Sequence, residues 1–212
     1  MKRLRRLQLV PDSFDMYFRE EDFINNVWID VTLRMPLIEF EPNDFLPRYD
    51  VRALLYIYDE NVEVLQEELP IAWASVVLID LSLVKCPLFS ACDAESEDLL
   101  DLYSKIYDED EDLLPPLDQL ASKTIWCLDE FIIEEGYQSV GHYFLKWIIT
   151  YLTRKTGAMV VFPVPSKLEK KGATTEIIRD FDPGKTNYLR LFYTHFGFAP
   201  LRDTEYMYLI LE

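Results

Sequence analysis

The sequence predicts an α/β fold, a mixed sheet layered with helices, and three observations carry that expectation. Apolar, β-branched runs such as "VRALLYIY", "IAWASVVLID", "TIWCLDEFII" and "AMVV" recur along the chain. One of them leads through glycines into "VGHYFLKWIITYL", whose apolar residues fall at helical spacing. Half of the 212 residues are hydrophobic and 14% are aromatic, which supports a sizeable core and argues against wholesale disorder. That length suits one domain, 1–212, carrying an insertion.

In chain order, residues 5–10 read as a short first strand closed by Pro11. Between Phe14 and Leu33 the apolar positions Phe14, Phe18, Ile24, Val27, Trp28 and Val31 recur at threes and fours, which predicts a helix. Pro36, Pro42 and Pro47 then punctuate a loop. Residues 51–65 read as a strand followed by a turn near "DEN", and 71–84 as a central strand. The segment 93–118, "DAESEDLLDLYSKIYDEDEDLLPPLD", carries most of its charge as carboxylates and reads as an acidic insertion. Leu99, Leu102, Tyr103 and Ile106 give it one short amphipathic helix. The run "DEDED" at 108–112 reads as a solvated loop, because clustered carboxylates without fixed geometry make poor metal sites.

Residues 124–133 predict another strand. The helix after Gly141 has Val140, Phe144, Trp147, Ile148, Tyr151 and Leu152 on a broad apolar face, with Gly157 as its stop. A buried strand at 158–164 follows, then a polar connection over 165–186 that contains the turn "DPG". Residues 187–198 read as a helix and a turn, and 205–212 as the last strand.

The formal charge is −17, from 38 acidic and 21 basic residues. Long-range repulsion then opposes unaided binding to nucleic acid or to an anionic membrane, so neither is expected as a partner. A cationic acceptor is compatible with this surface, and so is a surface that is acidic merely for solvation. Cys86, Cys92 and Cys127 are too few and irregular for a disulfide framework. No long apolar run follows the basic residues at 2–6, and 70–84 is too short to span a bilayer and contains Asp80. A soluble, reducing, cytoplasmic setting is the expectation. Gly184-Lys185-Thr186 has the tail of a phosphate-binding P-loop, but the earlier glycine of that motif would fall on Arg179. His142 and His195 lack metal-ligand spacing, so no metal is expected.

What remains is a strand, then Gln138-Ser139-Val140-Gly141-His142-Tyr143, then a helix. About fifty residues on comes "LRLFYTHFGF", a helix with Tyr193 just before Gly197-Phe198. This pair, with "AMVVFPV" between them, resembles the GNAT (acyl-CoA N-acyltransferase) family, whose cofactor loop reads Q/R-x-x-G-x-G/A. Gln138 and Gly141 match, and Tyr143 stands where the family has a small residue. Thr186 occupies the place of a common asparagine, with Asn187 one step late. The resemblance covers residues 124–212.

It implies a mixed, mostly antiparallel central sheet flanked by helices, acetyl-CoA as acyl-donor substrate, and an N-acetyltransferase that acts on a primary amine. The acceptor stays open, a cationic one included, and so does a homodimer. The resemblance implies that the loop amides of Ser139, Val140, Gly141, His142 and Tyr143, beside Gln138, hold the pyrophosphate at a helix N-terminus. A glycine at 141 would let the cofactor approach closely. The fourth and fifth strands would splay, with pantetheine pairing to backbone at Ile132 and Ile133. Tyr193 would protonate the departing thiolate. For a general base, alternation puts only one of Asp129 and Glu130 on the acceptor side, with Glu130 sharing the face of Trp126 and Leu128; Glu130 is the candidate. A GNAT-fold protein without the chemistry, binding an acyl-CoA or a basic protein in a regulatory role, is the alternative.

Overall fold

A computed structural model of the chain describes residues 27–34, 46–58, 65–80, 87–171 and 174–211. Its strands and helices are β1 Val27–Arg34, β2 Arg48–Tyr58, β3 Leu65–Asp80, α1 Leu88–Glu95, α2 Glu97–Ile106, β4 Thr124–Ile133, α3 Val140–Trp147, β5 Ala158–Val161, β6 Ser166–Lys171, β7 Thr174–Arg179, α4 Pro183–His195, β8 Ala199–Pro200 and β9 Met207–Ile210. Seven strands form one open sheet in the order β1-β2-β3-β4-β5-β9-β8, and β6 and β7 form a separate two-stranded hairpin. Every neighbouring pair in the large sheet is antiparallel except β4 and β5, which run parallel and are joined across α3. The fold is therefore α/β, with a mostly antiparallel, mixed open sheet flanked by helices.

The central strands are apolar on both faces because both are covered. On β3, Ala72, Ala74, Val76 and Leu78 join a core with Val140, Phe144, Leu145 and Ile148 of α3 and Tyr193 of α4. The alternate residues Val77 and Ile79 join a second core with Leu88, Ala91 and Cys92 of α1 and Leu99, Leu102 and Ile106 of α2. Each Leu, Ile or Phe buried this way contributes about 1.5–3 kcal/mol. Segment 93–118 is thus a layer of the fold: α1 begins ahead of it, and its helices close one face of the sheet.

Local chemistry explains where the helices start. Ser96 caps α2 by accepting from the Leu99 amide, and Asp182 caps α4 by accepting from Gly184 and Lys185, with Pro183 in the first turn. "DPG" is therefore the start of α4, four residues ahead of the expected helix, and the glycine of "GKT" turns its amide to Asp182. The polar connection expected over 165–186 holds the β6–β7 hairpin as well; its alternation is hidden by a high polar content. "DEDED" is a turn in which Asp108 accepts from the amides of Asp110 and Asp112, while Glu111 accepts from Leu88 at the start of α1.

The helix expected across 14–33 is overturned for its second half. Residues 27–34 are an edge strand in register with β2, from Val27 opposite Leu55 to Arg34 opposite Arg48. "VWIDVTLR" also alternates with β-branched residues, and pairing with β2 decides in favour of period two. Its first half, like the strand expected at 5–10 and Pro36 and Pro42, lies outside the described residues. After α3 the chain widens into a π turn over Ile148–Leu152, and Gly157 takes φ +77°. A Cβ there would stand 2.0 Å from the Thr124 carbonyl oxygen, so only glycine fits. Among the described residues no helix is long and apolar enough to cross a membrane.

Candidate functional site

The site grows from one irregularity in β4. Ser75 of β3 faces Glu130, and the next residue, Val76, faces Leu128, so Asp129 is an extra residue in β4. Such a bulge bends and twists the strand that carries it. The parallel register with β5 ends at Leu128 opposite Val161. Beyond it, β4 continues to Ile133 still paired with β3, and among the described residues no strand pairs along its other edge.

The bulge corrects the face assignment made from alternation. Trp126 and Leu128 belong to the α3–α4 side, and Phe131, packed on Phe144 and Tyr193, joins them there. Glu130 is displaced to the opposite side, and both carboxylates reach the same cation. Arg179 donates from Nε and Nη2 to Glu130 Oε1 at 3.2 and 2.8 Å, and its Nη2 lies 3.8 Å from Asp129. Arg179 also makes a short ion pair with Asp98 of α2. Arg48 bonds Asp129 at 2.6 Å, Ser75 at 2.6 Å and Glu95 at 2.8 Å.

Arg48, Ser75, Glu95, Asp129 and Glu130 line a cleft of about 430 Å³ together with Asp50, Trp73 and Ile177. Glu130 is 7% exposed, and burial raises its pKa even though Arg179 and the Ser166 hydroxyl hydrogen-bond its carboxylate. Burial opposes the charge on both arginines, yet the carboxylates around them raise their pKa values further. Arg48, Arg179, Glu95 and Asp98 escaped sequence reasoning. A charged residue at the boundary of a strand, as Arg48 opening β2 in "PRYDV" and Arg179 closing β7 in "EIIRD", was the available signal for the arginines.

Tyr193 lies across the sheet. It is 2% exposed, and its ring packs against Phe131, Phe192 and Phe198. Burial, and then the charge of Glu130, raise the pKa of its phenol. Tyr193 therefore holds its proton near neutrality.

The loop into α3 differs from its expected form. The amides of Val140 and Gly141 donate to the carbonyls of Tyr137 and Gln138 at 2.8 and 3.1 Å, so these two are engaged within the turn. A Cβ on Gly141 would meet Ile133 at 3.3 Å and Phe131 at 3.9 Å. The close approach that this glycine permits is between α3 and β4. Tyr143 and Ile133 pack against the α3–α4 core, and Ile132 is buried. The exposed Gln138 and the part-exposed Ser139 sit at the turn, and the ring of His142 lies tilted against Phe196 with centroids 4.7 Å apart. Among the described residues no group of histidine, cysteine or carboxylate side chains could hold a metal ion.

Compared with protein-family models, with curated proteins and with solved structures, the chain matches none.

Proposed function

We propose that the chain is a divergent GNAT-fold N-acetyltransferase, moving an acetyl group from acetyl-CoA to a primary amine. The observation that carries the reading is the opening of the sheet past Leu128 and Val161, with the charged cleft on one face and Tyr193 on the other. A thioester threaded through that opening meets an amine on the cleft side and a phenol on the far side. The unpaired edge of Asp129–Ile133 offers strand-like hydrogen bonds to a pantetheine arm. The turn at Gln138–Tyr143, which leads into the N-terminus of α3, is where the pyrophosphate would lie.

In the transfer, the amine nitrogen bonds the acetyl carbonyl carbon and the carbon–sulfur bond breaks. Tyr193 gives its proton to the thiolate, and Glu130 takes the proton that the amine loses. Burial keeps the phenol protonated until the thiolate forms, although it also makes it a weaker acid, and the carboxylate becomes a stronger base once its own partner cation has left.

Calorimetric titration of acetyl-CoA and free CoA tests the reading first, and binding at a one-to-one ratio is expected. Absence of binding at millimolar ligand would end it. Tyr193→Phe should lower turnover by about 10²- to 10⁴-fold with acetyl-CoA affinity nearly unchanged; unaltered turnover would remove its role.

A second reading has an observation of its own. Glu130 is already paired with Arg179, and two loop amides are engaged within their turn. A protein that binds an acyl-CoA, or a basic partner, without transferring anything would carry the same features. Binding without steady-state acetylation of any amine in a broad panel would favour it.

A further inference from the structure

One cation paired with carboxylates of the cleft comes from outside the central sheet. Arg179 ends β7, in the hairpin that pairs with none of the seven strands of the large sheet. The base of this hairpin is closed by the Asp180 amide on the Pro165 carbonyl at 2.7 Å. From there the guanidinium reaches Glu130 and Asp98 and approaches Asp129. Arg48 is engaged with Asp129, Glu95 and Ser75. Without Arg179, the carboxylates of Asp98, Asp129 and Glu130 would border one partly buried space. Like charges placed so closely need a cation or a proton among them.

The same hairpin walls the cleft, because Ile177 is part of its lining. At about 430 Å³ the cleft falls in the range of small-ligand sites. The void that Arg179 itself lines, with Asp98, Asp129, Phe162 and Tyr206, is about 10 Å³, room for about one water. Space for a ligand therefore lies in the cleft, whose Asp129 and Glu130 are the carboxylates that the guanidinium contacts.

We propose that Arg179 stands in for the cation of a ligand: the β6–β7 hairpin is a strap latched over the cleft, and a primary alkylammonium opens it by replacing the guanidinium on Asp98 and Glu130. The acetyl-transfer reading supplies the name acceptor for that ligand, and the proposal rests on it to that extent. Latched, Glu130 holds the hydrogen bonds of Arg179 and is no base; unlatched, it faces the incoming amine. The strap thus ties release of the base to arrival of a cationic acceptor, and a neutral molecule of the same shape leaves it shut.

Two measurements on the full chain test the latch, with 1,4-diaminobutane as the cationic probe and 1,4-butanediol as its neutral counterpart. Amide hydrogen exchange over 166–179 should quicken severalfold with saturating diamine and stay unchanged with the diol. Calorimetry should show Arg179→Gln binding the diamine about tenfold tighter than the wild type, since a competing internal cation has been removed. Arg179→Lys should fall between them. Unchanged or weaker diamine binding by Arg179→Gln, or exchange in the hairpin that is unaffected or slowed, would overturn the proposal. Should Arg179→Gln fail to fold, the exchange experiment on the wild type decides alone. Acetyl-CoA titration separates the two claims: a chain that ignores acetyl-CoA yet opens its strap for the diamine loses the enzyme reading and keeps the latch.

Discussion

The two halves of β4 are built to opposite specifications. From Ile125 to Leu128 the strand is paired on both sides, buried on both faces and uncharged. From Asp129 to Ile133 it keeps one neighbouring strand, begins with two carboxylates and borders a cleft. Close-packed backbone leaves the first half no room for chemistry. The second half has room because β5 parts from it, and the arginines that neutralise it arrive from β2 and β7. A strand becomes a site where it loses a neighbour.

The largest expected effect falls on the closed half. Gly157→Ala places a methyl group 2.0 Å from the Thr124 carbonyl oxygen, at a φ that disfavours any side chain. A loss of about 3 kcal/mol or more is expected, read as a shift in urea midpoint. Next comes the open half: Arg48→Ala strips Asp129, Glu95 and Ser75 of a shared donor. About 2–4 kcal/mol should be lost, less than for a fully enclosed pair because the side chain keeps 19% exposure. A greater loss for Arg48→Ala than for Gly157→Ala would reverse the contrast between the halves.

The smallest effect concerns pH. Glu130 has its pKa raised on folding, so the folded state holds that proton more firmly than the unfolded chain. Its contribution is fully present below the ordinary carboxyl value of 4.5 and is lost as pH rises through the folded value. Relative to Glu130→Gln, the wild type should therefore lose stability as pH rises across that window. Parallel urea midpoints for the two proteins from pH 4 to 7 would show that the carboxylate is not desolvated as the cleft requires.

Much of the scaffold was legible because local pattern and burial agree. "TIWCL" and "AMVV" are almost wholly apolar, since both of their faces are covered, and "VGHYFLKW" has a helical stripe that meets the sheet. Where two periods fit the same letters, as in "VWIDVTLR", pairing with β2 settled the matter. The β6–β7 hairpin stayed hidden because its strands are mostly polar, so no apolar alternation marks them. Tyr193 and Gly141 were legible as residues to notice; that the glycine serves helix-to-strand packing became visible only with Ile133 beside it.

The apolar strands, the helix stripe, the acidic excess and the tyrosine ahead of Gly197-Phe198 are all readable along the chain, being properties of neighbouring residues. The site comes together only on folding. Arg48 meets Asp129 and Arg179 meets Asp98 across 81 positions each. The bulge that turns Asp129 and Glu130 to one cation exists only in register with β3. Alternation is a rule of a single strand, and one extra residue reverses it; a partner strand is needed to say where that residue falls.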